Sequence, residues 1–197
     1  MNVKMLLPVL LLFVTTVLKA QEAKYELKSA IIKKETIAMG QKLESTWYMD
    51  DYGKKESSET VMKVGGVAGV EKHLLTIMDG NFVINVDLDM KTASRMKMPQ
   101  EPVNYLNLSP EIIEKFKVKE NGEEEVAGKL CKKYSLEITQ MGQTAEVSTW
   151  VWKGLVLKSE MGANGMVVMK EEVVEIEENP AVPADKFVVP EGITVSQ

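Results

Sequence analysis

Two side chains in this sequence have the types that nucleophilic chemistry needs, and each type occurs once. Cys131 is the only cysteine and His73 the only histidine among the 197 residues. A cysteine acts as a nucleophile in its thiolate form, which needs a basic partner such as an imidazole close by. Because no feature of the sequence brings Cys131 and His73 together, we interpret His73 as a residue at the edge of a loop. A single histidine also excludes the multi-histidine metal sites of zinc enzymes.

Cys131 lies in the segment GKLCKKYSLEI, residues 128–138. Strict alternation along a strand places it on the face opposite Tyr134 and Leu136. In a sheet that buries apolar groups on both faces, a lone cysteine behaves as a small hydrophobic side chain and stays unoxidised. Burial is therefore our main interpretation. The alternatives are a reactive thiol beside lysines that would lower its pKa, and an intermolecular disulfide.

The remaining polar motifs do not define a catalytic or metal site. Acidic residues alternate with lysines or cluster in predicted turns such as ENGEEE (120–125). The glycine-rich stretch KVGGVAGVEKH (63–73) lacks the order of a phosphate-binding loop and is interpreted as a mobile loop or a weak helix start. We predict no cofactor and no metal, and an enzyme ranks last among the function classes.

Methionine is unusually frequent, with 13 in the chain. Its flexible, polarisable side chain fills irregular cores and also lines surfaces that accept varied apolar ligands. Core filling is the favoured interpretation. Copper(I) capture by thioethers, prompted by RMKM (95–98), is disfavoured because two cationic side chains flank the sulfur atoms.

The first twenty residues have the pattern of a secretory signal peptide. Lys4 precedes an apolar run from Met5 to Leu18, and Ala20 offers a small residue at a cleavage point. The run is too short for a comfortable membrane span, and no cysteine follows it to carry a lipid anchor. We predict a signal peptide at residues 1–20, a single domain at 21–197, no membrane span after cleavage, and a periplasmic or extracellular location.

The charge of the chain disfavours two classes of partner. The net charge is already −5, and removing residues 1–20 takes away two lysines and no acids. Nucleic acids and anionic membrane surfaces both require a basic patch, and lysines occur here only as isolated pairs. We therefore predict no nucleic-acid partner.

Most of the remaining chain has the patterns of β-strands. QKLESTWYM (41–49) alternates with period two, DDYGKKESS (50–58) is predicted as a polar turn, and Asp79-Gly80 suits a tight hairpin between two apolar runs. Ser109-Pro110 is a typical helix start and predicts a short helix at about 109–118. Strands then resume, and a proline-rich tail anchored by Phe187 should close the domain irregularly. The fold class is mainly β (α+β).

The order of these segments resembles a known family. The stretches that carry it are VAGKLCKKYSLEI (126–138), STWVWKGLVLKSEM (148–161) and EIEENPAVPADKFVVPEGITV (175–195). They resemble an uncharacterised family of exported bacterial domains that looks like a branch of the outer-membrane lipoprotein carrier (LolA/LolB-like) superfamily. The resemblance implies a curved antiparallel sheet forming an open half-barrel, with one or a few short helices on its concave side and a hydrophobic groove between them.

The resemblance and the apolar composition together give the candidate site. The large apolar side chains that could line such a groove are Trp47, Met49, Met78, Phe82, Trp150, Trp152 and Met161. The same side chains could equally form a filled core, since pocket linings and cores share their composition. An open groove would suit a binding or carrier module for a lipid, a lipoprotein acyl chain or another apolar ligand. A filled core with an exposed strand edge would instead suit a module that binds another cell-envelope protein.

Overall fold

A computed structural model describes residues 23–38, 40–63, 71–98, 102–140, 143–163 and 166–196. The predicted signal peptide and residues 64–70 of the glycine-rich stretch lie outside these ranges. Within them the chain is mainly β, with one α-helix, α1 (Pro110–Phe116), and two short 3-10 helices, at Asp51–Gly53 and Ala184–Phe187. The strands are β1 (Ala30–Ala38), β2 (Gln41–Asp50), β3 (Lys55–Lys63), β4 (Glu71–Asp79), β5 (Phe82–Asp87), β6 (Thr92–Lys97), β7 (Lys119–Val126), β8 (Lys129–Gln140), β9 (Gln143–Trp152), β10 (Leu155–Ala163), β11 (Met166–Glu178) and β12 (Thr194–Ser196).

All twelve strands belong to one curved, unclosed sheet. Their order is β12-β6-β5-β4-β3-β2-β1-β11-β10-β9-β8-β7, so β12 and β7 form the two edges. Neighbouring strands are antiparallel, except that β12 runs parallel to β6. The prediction of a mainly β protein built on an open curved sheet is confirmed. No helix in the described part of the chain is long and apolar enough to cross a bilayer.

Several elements lie where local signals in the sequence predicted them. Gly80 and Asn81 connect Asp79, the last residue of β4, to β5, and Gly80 has the positive φ of 58° that the dipeptide suggested. The hydroxyl of Ser109 accepts a hydrogen bond from the backbone N–H of Ile112 at 3.3 Å and caps α1. The helix ends at Lys117, whose φ of 50° is left-handed. The predicted hairpin and helix are therefore confirmed.

Three segments differ from the sequence-based expectations. Residues 120–125, interpreted as a turn, lie within the edge strand β7, whose irregular register between Glu120 and Glu123 accommodates Gly122 at a φ of 89°. The turn predicted at 50–58 is shorter, because β3 begins at Lys55. The closing tail is irregular as expected but ends in β12, which no local pattern indicated.

Different segments cover the two faces of the sheet. On one face α1 and the segment before it pack against β8 and β9, where Phe116, Leu136 and Val147 are buried. On the opposite face of β4, β5 and β6 the tail packs Val189 and Ile193 against a second buried cluster. Trp47 and Ile77 lie on opposite faces, because Trp47 pairs with Ser58 and Ile77 with Ser57 of the intervening strand. The tail thus covers the face of β4 to β6 that is opposite to the face covered by α1 on β8 and β9.

Candidate functional site

A groove of about 480 Å³ lies on the sheet face that carries Trp47. The strands β1, β2, β8, β9, β10 and β11 form its floor, and residues 102–105 form one wall. The apolar side chains around it include Trp47, Val103, Ile138, Val147 and Leu155. Because α1 covers only part of this face, the rest of the groove stays open.

The wall is held in place by two tyrosines. The rings of Tyr105 and Tyr134 lie 5.4 Å apart between centroids. The hydroxyl of Thr149 donates to the phenol oxygen of Tyr105 at 3.1 Å. Burial raises the pKa of Tyr105, so its phenol stays neutral at ordinary pH. These contacts fix the segment that precedes α1 over the floor of the groove.

One end of the groove is polar. Glu56 is buried there, and its carboxylate accepts hydrogen bonds from the ammonium of Lys24 at 2.7 Å and from the phenol of Tyr25 at 3.2 Å. The ring of Tyr25 meets that of Trp47 edge to face, with centroids 5.5 Å apart. Burial, and then the Glu56 carboxylate, raises the pKa of Tyr25 well above its ordinary value. This end offers a paired carboxylate and a neutral phenol beside an aromatic wall.

A second ion pair lies on the other side of Trp47. The ammonium of Lys34 lies 5.4 Å from the centroid of the Trp47 ring and 3.0 Å from a carboxylate oxygen of Glu171. A cation over an indole face stabilises the ring orientation, so Trp47 is held from both sides. The groove therefore combines an apolar floor with charged groups at its margin, an arrangement suited to an amphiphile.

The structure places the seven candidate residues in three different surroundings. Trp47 lines the groove, and on the same face Met49 is fully buried in the core beneath it. Met78 lies directly across from Glu56, and Met161 directly across from Val147, so both share the groove face. Their contact with a ligand stays a prediction.

The aromatic rings of the other three candidates are in contact with cationic side chains. Trp150 and Trp152 alternate with Thr149, so they lie on the face opposite the groove. Trp152 is covered by Lys129 and Lys153, whose ammonium nitrogens lie 4.7 and 4.4 Å from its ring. Phe82 is likewise covered, by the guanidinium of Arg95 at 3.5 Å. Arg95, which covers Phe82, is also the arginine of the methionine-rich RMKM segment.

The structure does not bring the two nucleophile candidates together. Cys131 is fully buried on β8, and burial raises the pKa of its thiol. His73 lies on β4, exposed, with a ring nitrogen 3.2 Å from Asp89. Six strands separate β4 from β8 in the sheet. The burial predicted for Cys131 is confirmed, and the arrangement that a thiol enzyme required is not formed. Among the described residues, no group of three or more acidic, cysteine or histidine side chains is arranged to hold a metal ion.

Sequence reasoning missed the polar residues of the groove. Tyr25 lies before the first strand, Glu56 at the start of β3, and Tyr105 in the loop before α1. Glu56 fell inside a segment interpreted as a turn, and the two tyrosines belong to no periodic pattern. The one signal available was composition: an aromatic residue in an otherwise polar connecting segment often packs against a distant element.

The raised pKa of Tyr25 predicts a specific pH dependence of stability. The native state holds this phenol proton more tightly than the unfolded chain, so its contribution is complete below about pH 10 and is lost as the pH rises through the higher native value. We expect the stability difference between wild type and Tyr25→Phe to be constant in neutral solution and to shift in favour of the variant above about pH 10. Urea unfolding of both proteins across this range measures it. Parallel stability curves throughout the alkaline range would contradict the assignment.

Several solved structures are similar to this fold. An uncharacterized conserved protein from Thermus thermophilus matches with a TM-score of 0.59 and 13% identity, over 87% of this chain and 91% of that one. MucB matches with a TM-score of 0.54 and 13% identity, over 86% of this chain and 59% of that one. The Pseudomonas aeruginosa MucA/MucB complex matches with a TM-score of 0.50 and 14% identity, over 85% of this chain and 57% of that one.

These similarities define the class of fold. The chain shares its fold with the Thermus thermophilus protein and with MucB, which agrees with the open, curved sheet that the resemblance implied. The chain spans a little under three fifths of MucB. No protein-family model and no curated protein matches the sequence. At these identities the likeness concerns the fold, and function has to be argued from the site.

Proposed function

We propose that this protein is an exported binding or carrier module for a lipid or another apolar molecule, including a lipoprotein acyl chain. The ligand lies in the groove of an open half-barrel, with α1 on the concave side. The observation that supports this most is the half-buried apolar lining at Trp47, Val103 and Ile138, which is bordered by the ion pairs of Glu56 and Glu171. An acyl chain would replace water over the apolar floor, and a polar headgroup would lie near the charged margin.

The proposed location and domain organisation follow the N-terminal pattern. Residues 1–20 act as a cleaved signal peptide, and residues 21–197 form one domain in the periplasm or outside the cell. The groove candidates Trp47, Met49, Met78 and Met161 lie on the face where the ligand would bind. The remaining candidates, Phe82, Trp150 and Trp152, stabilise the sheet from elsewhere.

Native mass spectrometry of the exported protein, before and after solvent extraction, tests the proposal directly. We expect an additional bound mass that extraction removes and that is recovered as lipid. The extracted protein should then take up a fluorescent fatty acid. An unliganded mass in the fresh preparation, together with no uptake of the fatty acid, would contradict the carrier function.

A matched pair of serine variants locates the ligand. Ser159 lines the groove on β10 and pairs with Thr149 of β9. Ser148 precedes Thr149 on the same strand and therefore lies on the opposite face, and both serines are half-buried. We expect Ser159→Trp to fill the groove and weaken fatty-acid uptake by about tenfold, a loss of roughly 1.4 kcal/mol. Ser148→Trp should leave uptake unchanged, and equal effects from the two variants would place the ligand outside the groove.

A second candidate function is supported by the edge strand β7. Residues 119–125 of this strand are exposed, and one side of its backbone faces no neighbouring strand of the described sheet. Such an edge can pair with an extended segment of another protein. The solved MucA/MucB complexes make a protein partner a reasonable alternative to a lipid.

Photo-crosslinking from the edge distinguishes this second function. A photoreactive residue at Glu123 of β7 should crosslink an envelope protein in living cells. The same group at the exposed Glu177 of the central strand β11 serves as the control. Crosslinking from neither position, or from both equally, would remove the support for strand pairing.

A further inference from the structure

The groove face of the sheet carries a second cavity, on β4, β5, β6 and β12. Its volume is about 360 Å³. Thr76 of β4, which lines it, pairs with Ser58 of β3, and Ser58 pairs with Trp47 of β2. Because directly paired residues lie on one face of a sheet, the second cavity and the groove share a face. The tail packs on the other face of the same strands.

A row of uncharged polar side chains crosses the floor of this cavity. Thr76 pairs with Asn85 of β5, which pairs with Ser94 of β6. Ser94 pairs in turn with Ser196 of β12. All four residues line the cavity, and we call them the polar row. From β4 to β12 the order of strands contains three steps, so the row is about 14 Å long at ~4.8 Å per step.

The polar row differs in composition from the solvent-facing row on the opposite face. There the paired residues across β2, β1, β11 and β10 are Glu44, Glu35, Glu172 and Lys158. All of these are ionisable, whereas the polar row has only hydroxyl and amide groups. Asparagine is also depleted in strands, yet Asn85 lies inside the six-residue strand β5. The polar row is therefore a surface suited to hydrogen bonding without charge.

The hydrogen bonds within the row leave groups available to a ligand. The hydroxyl of Thr76 donates to the side-chain oxygen of Asn85 at 3.2 Å, which fixes the orientation of that amide. Within the described chain, nothing accepts a hydrogen bond from the amide nitrogen of Asn85, and the hydroxyl of Ser94 has no partner. An amide nitrogen donates twice, and a hydroxyl both donates and accepts. These groups match the hydroxyl and carbonyl oxygens of a sugar.

The charges beside the row form a closed pair. The ammonium of Lys72 lies 2.9 Å from a carboxylate oxygen of Asp87, and both residues line the cavity. The backbone N–H of Met90 also donates to the Asp87 carboxylate at 2.9 Å. An anionic ligand would need a cation that is not already paired, and a cationic ligand would need a free carboxylate. Among the described lining residues neither is present, so the cavity suits a neutral ligand.

An apolar row runs beside the polar row on the same face. Met78 pairs with Val83, which pairs with Met96, two positions along each strand from the polar row. Two positions correspond to about 6.8 Å at ~3.4 Å per residue. A sugar ring has hydroxyl groups at its edge and C–H groups on its faces, so it can contact both rows at once. Apolar lining with a few polar groups that fix orientation is the usual composition of a ligand site.

From these observations we propose that the second cavity binds a short neutral oligosaccharide. The sugar lies across the strands, with its hydroxyl groups on the polar row and the C–H face of its rings against the apolar row. This site is separate from the groove, and it does not depend on the proposed carrier function.

NMR titration of the exported protein with N,N′,N″-triacetylchitotriose and with maltotriose tests the sugar site. We expect saturable binding of at least one of them to wild type. The double variant Thr76→Val, Ser94→Ala should bind it about tenfold more weakly, because two hydroxyl groups are removed. The matched control is Thr46→Val, Ser148→Ala, which removes the same groups from half-buried positions on the opposite face. The control should bind as wild type does.

A third variant and a charged probe complete the test. Ser94→Trp should fill the cavity and abolish binding, and circular dichroism verifies the fold of every variant. The inference is overturned if wild type binds neither oligosaccharide, if the two double variants lose binding equally, or if Ser94→Trp binds as wild type does. Binding of a heparin-derived oligosaccharide without binding of the neutral ones would assign the cavity to anions and would also reject the inference.

The sugar site and the groove can fail independently. Ser159→Trp, which fills the groove, should leave oligosaccharide binding unchanged. The double variant Thr76→Val, Ser94→Ala should take up fluorescent fatty acid with the affinity of wild type. Sugar binding without fatty-acid uptake would retain the sugar site and reject the carrier function. Fatty-acid uptake without sugar binding would do the reverse.

Discussion

Trp150→Ala should lower the free energy of unfolding by about 3–5 kcal/mol, as expected for removal of a buried tryptophan. The side chain is 2% exposed, and its indole N–H donates to a carboxylate oxygen of Glu124 at 2.8 Å. The ammonium groups of Lys133 and Lys158 lie 4.5 and 4.0 Å from its ring. Alanine would leave a cavity, remove the indole donor that holds the pKa of Glu124 low, and uncover two lysine side chains. Urea unfolding followed by circular dichroism measures the loss.

Trp47→Ala is the control that separates the core from the groove. Trp47 is only partly buried, and it packs edge to face against Tyr25 at the margin of the groove. We expect its replacement to cost no more than about 2 kcal/mol of stability and to weaken fatty-acid uptake. Folded Trp150→Ala should keep the wild-type affinity for the fatty acid. Equal losses of stability, or a specific loss of uptake in Trp150→Ala, would contradict the division of the two tryptophans between core and groove.

The sequence contained enough local information to predict the hairpin and the helix. A glycine in a two-residue turn and a serine cap before proline act over a few residues, so their effect does not depend on distant parts of the chain. The period-two pattern of β2 also predicted a half-buried strand. These elements, with the strands that followed, were sufficient to predict the fold class.

The two edge strands could not be predicted from local sequence patterns. In β7 every residue from Lys119 to Glu125 is exposed, so alternation of apolar and polar side chains is absent. Its strand geometry comes from pairing with β8, which a local pattern does not report. The three-residue β12 depends on parallel pairing with β6, about a hundred residues earlier in the chain. Both strands are fixed by non-local hydrogen bonds.

The structure divides the seven candidate residues between two faces of the sheet, and side-chain parity explains the division. The sequence grouped Trp47 with Trp150 and Trp152 by size and apolarity alone. Alternation along β9 places Val147 and Thr149 on the groove face, and Trp150 and Trp152 therefore point to the other face. Parity within β9 was available from the sequence. The identity of the face that holds the groove was not, because it depends on where α1 and the tail pack.

Gly154→Ala should cost roughly 2–5 kcal/mol through two separate effects. Gly154 has a φ of +83°, a conformation that a residue with a Cβ adopts at a cost of about 1–2 kcal/mol. A Cβ at this position would also lie 2.5 Å from the carbonyl oxygen of Lys24 and 2.9 Å from Cγ of Leu106. A backbone oxygen cannot rotate away as a flexible side chain does, so the N-terminal segment would have to move.

Gly128→Ala measures the first of these effects, the backbone cost, alone. Gly128 also has a positive φ, +70°, but its added Cβ would meet no atom within 4 Å. Its cost should therefore be the backbone term alone, about 1–2 kcal/mol. The difference between the two variants, measured by urea unfolding, reports the close approach of Lys24 to the turn between β9 and β10.

The movement forced by Gly154→Ala should also reach the groove. The backbone N–H of Glu26 donates to the carbonyl of Lys153 at 3.1 Å, so this segment is anchored on the residue next to Gly154. Tyr25 lies between Lys24 and Glu26 and would be displaced from Glu56. We expect Gly154→Ala to change fatty-acid uptake by about tenfold where Gly128→Ala changes it little. Equal costs in stability and unchanged uptake in both variants would show that the N-terminal segment neither packs on this turn nor shapes the groove.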